Sequence, residues 1–337
     1  MQYRPPTLVD TRPDGFGEAI SEMPELEVSV VIPTYRRSEQ LRAAVQSVLA
    51  QRGVTAKIEI LVVDNDPDRS AEPLVASFAS SSSWPLRYIS EPRSGISYAR
   101  NAGVASALGR FIAFLDDDEC ANPRWLVSLL TTAHLHAADI VVGPVRPAFP
   151  KLVRVPAYAK QLYCRDAQVP TGQSIDWHGI GNALLNRRRC FAGPAPFDPR
   201  LGLTGGEDSI FLGQLRDRGR YALWCAEAWV SESIPADKLS TAYLLRRAFR
   251  GGQTTTYLPS TLAPPRRLEI LRWMAIGAAQ VCLCGPWALA LKLCGHEAWV
   301  TIMAKAASGL GKLLWHPALH VKSYRRDTSF TSSGKVA

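Results

Sequence analysis

The 337-residue sequence predicts an α/β fold with a mostly parallel central sheet, flanking helices and a C-terminal hydrophobic helical segment. Three observations carry that prediction. Runs rich in β-branched residues at 28–32 (VSVVI) and 58–63 (IEILVV), a strand-like segment at 86–90 and an apolar run at 111–115 recur, and largely apolar runs are what strands covered on both faces look like. The stretches between them carry apolar residues at helical spacing, so strand and helix alternate as in a doubly wound sheet. Near the C-terminus, residues 273–291 (WMAIGAAQVCLCGPWALAL) run for 19 positions without a charge.

The elements follow in order. Residues 1–27 mix prolines and acids and read as a flexible segment; they lack the continuous apolar core of a signal peptide, which predicts a chain that starts in the cytoplasm. The first strand ends at Pro33, Thr34 and Tyr35. Ser38 is placed to cap a helix reaching about Gln51, with Leu41, Val45, Val48 and Leu49 on one face. The second strand ends at Asp64, Asn65 and Asp66, a helix is expected over 71–80, and Glu91 and Arg93 follow the third strand. A helix over 97–108 leads to the fourth strand, which runs directly into Asp116, Asp117, Asp118 and Glu119. Asn122 and Pro123 then read as the start of another helix.

Polar residues thus follow all four strands and converge on one sheet edge, where doubly wound folds bind ligands. Four successive carboxylates resist joint desolvation and call for positive charge. A hard divalent cation, Mn²⁺ or Mg²⁺, shared with substrate phosphates is the chemistry that suits them. No GxGxxG follows the first strand and no GxxxxGK[ST] occurs anywhere, which argues against a dinucleotide-binding domain and a P-loop.

The segments VSVVIPTYRR (28–37), IEILVVDND (58–66), SGISYARNAG (94–103) and FIAFLDDDE (111–119) together resemble family 2 glycosyltransferases of the GT-A fold, over most of residues 28–125. The resemblance implies a nucleotide-sugar donor site. Pro33, Thr34 and Tyr35 would lie against the base and Asp64 would read its edge. Arg100 and Asn101 would stand near the nucleotide, Asp116 and Asp118 would hold the metal on the diphosphate, and Asp117 would reach the ribose. Gly181 and Asn182 resemble a position beside the donor sugar. LTGGEDSIFL (203–212) resembles the family's ED motif, with Asp208 as general base and Glu207 as the second candidate. LLRRAFRGG (244–252) resembles the bacterial exopolysaccharide type, such as succinoglycan glucosyltransferases. Arg247 and Arg250, with Arg246, would there meet the leaving diphosphate. Many GT-A enzymes add a histidine ligand after the corresponding strand, but Ser231 and Glu232 stand there instead.

The remainder is less regular. Residues 139–146 read as one strand, 147–176 as a mobile loop over the acceptor and 179–188 as a further strand. The expected organisation is a GT-A domain over 28–255, with a nucleotide-binding half at 28–125 and an acceptor half at 139–255. A membrane-associated helical hairpin over 266–320 and a disordered basic tail at 321–337 complete it, with Trp273, Trp287, Trp299 and Trp315 as interface anchors. The formal charge of +9 suits nucleotide phosphates, polyprenyl phosphates or an acidic membrane face. No zinc-finger spacing and no long basic run precede the tail, so nucleic acid is not an expected partner. The seven cysteines form no CxxC pair, which points to free thiols in a reducing compartment.

The expected activity is inverting transfer of a sugar from a UDP-sugar to a saccharide or a polyprenyl-diphosphate-linked saccharide at the cytoplasmic face of the inner membrane. A sugar nucleotidyltransferase and a non-catalytic nucleotide-sugar-binding subunit are the alternatives.

Overall fold

The computed structural model describes residues 26–321 except 81, 178 and 194. Nearly all of the expected flexible N-terminal segment and of the basic tail lies outside the described residues. The first half alternates as expected: β1 (Val28–Thr34), α1 (Ser38–Leu49), β2 (Ile58–Asp64), α2 (Glu72–Ala79), β3 (Leu86–Ser90), α3 (Ile96–Ser106) and β4 (Phe111–Phe114). It continues through β5 (Glu119–Ala121) and α4 (Trp125–Leu135). The second half holds β6 (Ile140–Val142), β7 (Val145–Ala148), α5 (Ala157–Tyr163), β8 (Ser174–Ile175), β9 (Ala183–Asn186) and α6 (Arg187–Cys190). After these come α7 (Glu207–Asp217), β10 (Ala222–Trp224), β11 (Val230–Ser233), α8 (Thr241–Thr261), α9 (Arg267–Leu293) and α10 (Trp299–Leu313).

An eight-stranded sheet runs in the order β3-β2-β1-β4-β9-β6-β10-β8. Strands β3, β2, β1 and β4 are parallel, while β9 runs antiparallel between β4 and β6. All seven residues of β1 are buried, because the sheet is covered on both faces. Val30 and Ile32 meet Leu41, Val45 and Val48 of α1 and Trp125 of α4 in one core. Val31 turns the other way, into a core with Ala99 of α3 and Phe211 and Leu215 of α7. Helix α3 sits close on the sheet at Gly103, where a methyl group would come within 2.4 Å of Val31 Cγ1.

Several expectations need correction. The single strand expected at 139–146 is two: β6 joins the large sheet, and β7 joins a three-stranded sheet ordered β5-β11-β7. The break falls at Gly143, whose backbone passes so near Ala228 that a methyl group would lie 2.0 Å from the Ala228 oxygen. The expected loop 147–176 contains α5 and β8. Ser38 is the first residue of α1 rather than its cap, a place taken by Arg37. Asn122 forms a turn, accepting from the Arg124 N–H at 2.9 Å, before α4 begins at Trp125.

The boundary expected at 255 falls inside α8. Helix α10 packs against both α8 and α9, and glycines make the crossings close. A methyl group at Gly252 would lie 2.0 Å from the Ser308 oxygen, one at Gly311 1.9 Å from the Phe249 oxygen, and one at Gly309 2.6 Å from the Gly277 oxygen. Helix α9 is long and apolar enough to cross a membrane by length and composition. Its outer side exposes Leu268, Leu271, Leu283, Trp287, Leu289 and Leu293. Of the four expected tryptophan anchors only Trp287 is exposed. All seven cysteines are free thiols.

Candidate active site

A cavity of about 1330 Å³ opens at the carboxyl edge of β1 and β4. Pro33, Thr34 and Tyr35 from the end of β1, Arg100 from α3, and Asp116, Asp117 and Asp118 after β4 all line it. Glu207 and Asp208 at the start of α7, and Arg247 and Arg250 on α8, complete the opposite wall. Residues spread over more than two hundred positions of sequence therefore share one space.

The four carboxylates after β4 divide their roles. Asp116 Oδ1 accepts from Arg100 Nη2 at 3.3 Å. Asp118 Oδ2 accepts from Arg37 Nη1 and Lys238 Nζ, each at 3.3 Å. Asp117 accepts from Thr34 Oγ1 and from Arg37 Nη1, both at 2.9 Å. Burial pushes its carboxyl up to about 6 against the pull of Arg37. Glu119 turns inward as the first residue of β5 and is fully buried.

Strand pairing sets Glu119 directly opposite Glu232 of β11, an arrangement of like charges that is destabilising by itself. Arg165 resolves it: its Nη2 donates to Glu119 Oε1 at 3.2 Å and to Glu232 Oε2 at 2.9 Å. Burial still raises both carboxyls. The positive charge that the acidic run demands thus comes in part from Arg37, Arg100, Arg165 and Lys238. Nothing in the sequence marks Arg165 or Lys238, since each sits alone in an irregular segment and meets the acids only after folding.

The ED pair is also divided. Glu207 is buried, with Oε1 accepting from Arg100 Nη1. Asp208 faces the cavity, its Oδ1 held by the Ser209 N–H at 2.7 Å. The two preceding glycines have φ of 79° and 92°, a left-handed backbone that other residues rarely adopt. A methyl group at Gly206 would lie 2.6 Å from Thr254 Oγ1, so the expected close approach is to α8. Arg247 stacks over the Tyr163 ring with its carbon 5.0 Å from the centroid, and Arg250 Nη1 reaches the Thr204 oxygen at 3.5 Å.

Three expected site residues are placed differently. The Asp64 carboxylate is enclosed, accepting from Ala71 N–H (2.8 Å), Asp66 N–H (3.1 Å) and Tyr88 O–H (3.1 Å), and its neighbour Asn65 lines the cavity instead. Asn101 clips Phe197 through both backbone groups. Asn182 is buried, accepting from Trp125 Nε1 and donating to the Pro144 and Ala228 oxygens. Its neighbour Gly181 touches the site: a methyl group there would lie 2.5 Å from Asp116 Oδ2.

Among the described residues no group of three or more His, Cys, Asp or Glu side chains forms a ready metal cage. Asp116 and Asp118 nevertheless each keep one carboxylate oxygen outside the ion pairs above. Two carboxylate oxygens plus phosphate oxygens is a donor set that fits Mg²⁺ or Mn²⁺.

Fold and cleft together define a GT-A transferase scaffold. The family model for "Glycosyl transferase family 2" matches residues 29–191. The chain is 35% identical over 243 residues to "Succinoglycan biosynthesis protein ExoM" of Rhizobium meliloti (strain 1021), covering 68% of this chain and 74% of that protein. It is 26% identical over 254 residues to "Glycosyltransferase AglE" of Haloferax volcanii, covering 74% and 80% respectively. Among solved structures, S. aureus TarS 1-349 in complex with UDP-GlcNAc aligns with a TM-score of 0.51 at 14% identity, covering 85% of this chain and 89% of that one. The chain belongs to glycosyl transferase family 2, and it is a glycosyltransferase related to proteins of succinoglycan biosynthesis.

Proposed function

We propose that this glycosyltransferase moves a sugar from a UDP-sugar to a hydroxyl of a saccharide, free or carried on a polyprenyl diphosphate, with inversion at the anomeric carbon. The observation that carries the reading is that Asp116, Asp118, Asp208, Arg247 and Arg250 all line one cavity. The name of the Rhizobium relative supports a polysaccharide product, and the UDP-GlcNAc complex of the TarS structure supports a UDP-sugar donor.

The uracil would lie against Pro33, Thr34 and Tyr35 beside Asn65. Asp208 takes the proton of the acceptor hydroxyl as that oxygen bonds to the anomeric carbon from the face opposite the diphosphate. The bond to the diphosphate breaks and its electron pair leaves with the UDP. Arg247 and Arg250 offer charged donors to that leaving group, whose charge must be stabilised as it departs. Asp116 and Asp118 would hold Mn²⁺ or Mg²⁺, which when bound supplies Lewis-acid neutralisation of the diphosphate. Helix α9, with its exposed apolar side, would rest on the cytoplasmic face of the inner membrane.

The decisive experiment is Asp208→Asn, assayed for transfer and, by calorimetry, for UDP binding with Mn²⁺. UDP affinity should stay within about twofold while transfer falls by about 10³, within the 10²–10⁴ that one general base contributes. Transfer near the wild-type rate would remove Asp208 from the role.

A further inference from the structure

The segment between β7 and α5 carries apolar side chains outward. The chain turns at Lys151 and Leu152. Leu152 is 100% exposed and Val153 37%, and Lys151 and Arg154, both exposed, flank the pair. A single exposed leucine is ordinary on a protein surface. Two adjacent apolar side chains between two cations, at the tip of a turn, suit a partner that is apolar beneath an anionic face.

This tip is held beside the C-terminal end of α9. Arg154 Nη2 donates to Glu297 Oε1 in the turn between α9 and α10. Phe149 and Val155, on either side of the tip, pack on the small core of Tyr163, Leu244 and Val300, as does Trp299 at the start of α10. The last two turns of α9 expose Leu289 and Leu293, with Lys292 exposed between them. Apolar residues far apart in sequence thus come to one end of the molecule. The charge around them has one sign: residues 149–164 contain Lys151, Arg154 and Lys160 and no acid, while Glu297 is paired with Arg154. A protruding tip buries little area against another protein surface, far below what a stable interface needs, but is surrounded on all sides once it enters lipid. Exposed apolar groups ringed by cations are the composition that binds the headgroup region of an anionic bilayer.

We infer that the tip at 151–154 and the C-terminal end of α9 enter an anionic bilayer together, as one contact. This rests on the reading that α9 lies on a membrane. Helix α5 follows the tip directly, and its Tyr158 and Leu162 line the catalytic cavity. The contact therefore holds lipid against the α5 wall, and a saccharide carried on a lipid enters the cleft from that side.

The test is co-sedimentation of the full chain with vesicles of phosphatidylcholine alone and of phosphatidylcholine with phosphatidylglycerol. Wild type is compared with Leu152→Ser/Val153→Ser and with Lys151→Gln/Lys160→Gln. The serine pair should lower affinity for the phosphatidylglycerol vesicles at least about tenfold, the effect of withdrawing one fully exposed leucine from lipid, while UDP affinity in calorimetry with Mn²⁺ stays within about twofold. The glutamine pair should cost at least about fivefold on those vesicles and leave binding to phosphatidylcholine alone as in wild type. Equal binding of phosphatidylglycerol vesicles by wild type and the serine pair would overturn the inference. A second measurement uses wild type alone: hydrogen exchange of the amides at 151–155 should slow when phosphatidylglycerol vesicles are present. Unchanged exchange there in protein that binds vesicles would overturn the inference and leave α9 on the membrane. Wild type that binds neither vesicle would remove the membrane reading itself, and this inference with it.

Discussion

Asp116 owes its position to a residue that has no side chain. With 2.5 Å from a would-be Gly181 methyl group to Asp116 Oδ2 and 3.1 Å to Glu119 Oε1, the loop before β9 leaves no room for a Cβ unless the carboxylates move. Gly181→Ala should weaken Mn²⁺-dependent UDP binding at least about tenfold, roughly 1.4 kcal/mol, as measured by calorimetry. Metal-free UDP binding should change far less. Asp117 carries a different signature. Burial raises its carboxyl from 3.8 to about 6, with Arg37 opposing. The folded chain therefore keeps that proton to higher pH than the unfolded chain does, so stability falls as pH rises from 3.8 to about 6 and is level beyond. The span corresponds to roughly 3 kcal/mol, and the raised carboxyls of Glu119 and Glu232 act in the same direction. Metal-free protein should melt at a lower temperature at pH 7.5 than at pH 5, and calorimetric scans of Asp117→Asn should show a shallower dependence.

At the scale of elements, the C-terminal helices are joined to the catalytic half by backbone contact. Helix α10 lies against α8 and α9 where Gly252, Gly277, Gly309 and Gly311 let helix backbones approach. The polar residues that interrupt the apolar C-terminal sequence answer each other across this bundle. Lys312 Nζ of α10 donates to Gln280 Oε1 of α9 at 3.0 Å and to Ser308 Oγ at 2.9 Å, which satisfies groups whose burial would otherwise be costly. Gly311→Leu would drive a side chain into the Phe249 backbone oxygen, 1.9 Å from the Cβ position, with no flexible atom to give way. It should destabilise by at least about 3 kcal/mol, at or above the upper end of ordinary overpacking, seen as a lower melting temperature and proteolysis between α8 and α9. Leu310→Ala, on a 43% exposed neighbour, should do much less.

For the whole molecule, the hairpin and the cleft are one structure. Glu269 and Trp273 of α9 and Ser308 of α10 line the same cavity as the acidic run. A bilayer against the outer side of α9 would therefore stand beside the cleft mouth, which suits an acceptor carried on a lipid. The triple change Leu271→Asp, Leu283→Asp, Leu289→Asp alters side chains that are 61%, 71% and 54% exposed and touches no core. It should lower binding to phosphatidylglycerol-containing vesicles by more than tenfold, since burying one leucine is worth about 1.5–3 kcal/mol, while UDP affinity stays unchanged. Co-sedimentation with equal vesicle binding by wild type and variant would separate α9 from the membrane.

Most of the parallel half of the sheet was legible because β1, β2 and β4 are buried and so appear as short, largely apolar runs; the same runs place Thr34, Asn65 and Asp116 at one edge. The acidic run was legible as chemistry, being an unusual string of charge at a strand end, whereas the ED pair by itself read as an ordinary helix start and stood out only through its resemblance to the family motif. What the sequence by itself could not decide is which members of those strings face the ligand. Asp64 is enclosed by Ala71 and Tyr88 and Glu119 turns into the second sheet, while Asp116, Asp118 and Asp208 remain at the cavity. That division is made by Arg100, Arg165 and Lys238, which lie 16, 46 and 120 residues from their carboxylate partners Asp116, Glu119 and Asp118. Local sequence sets periodicity and strand ends, since both depend on near neighbours; pairing of charges across such separations depends on strand register and helix packing, and only the tertiary structure fixes those.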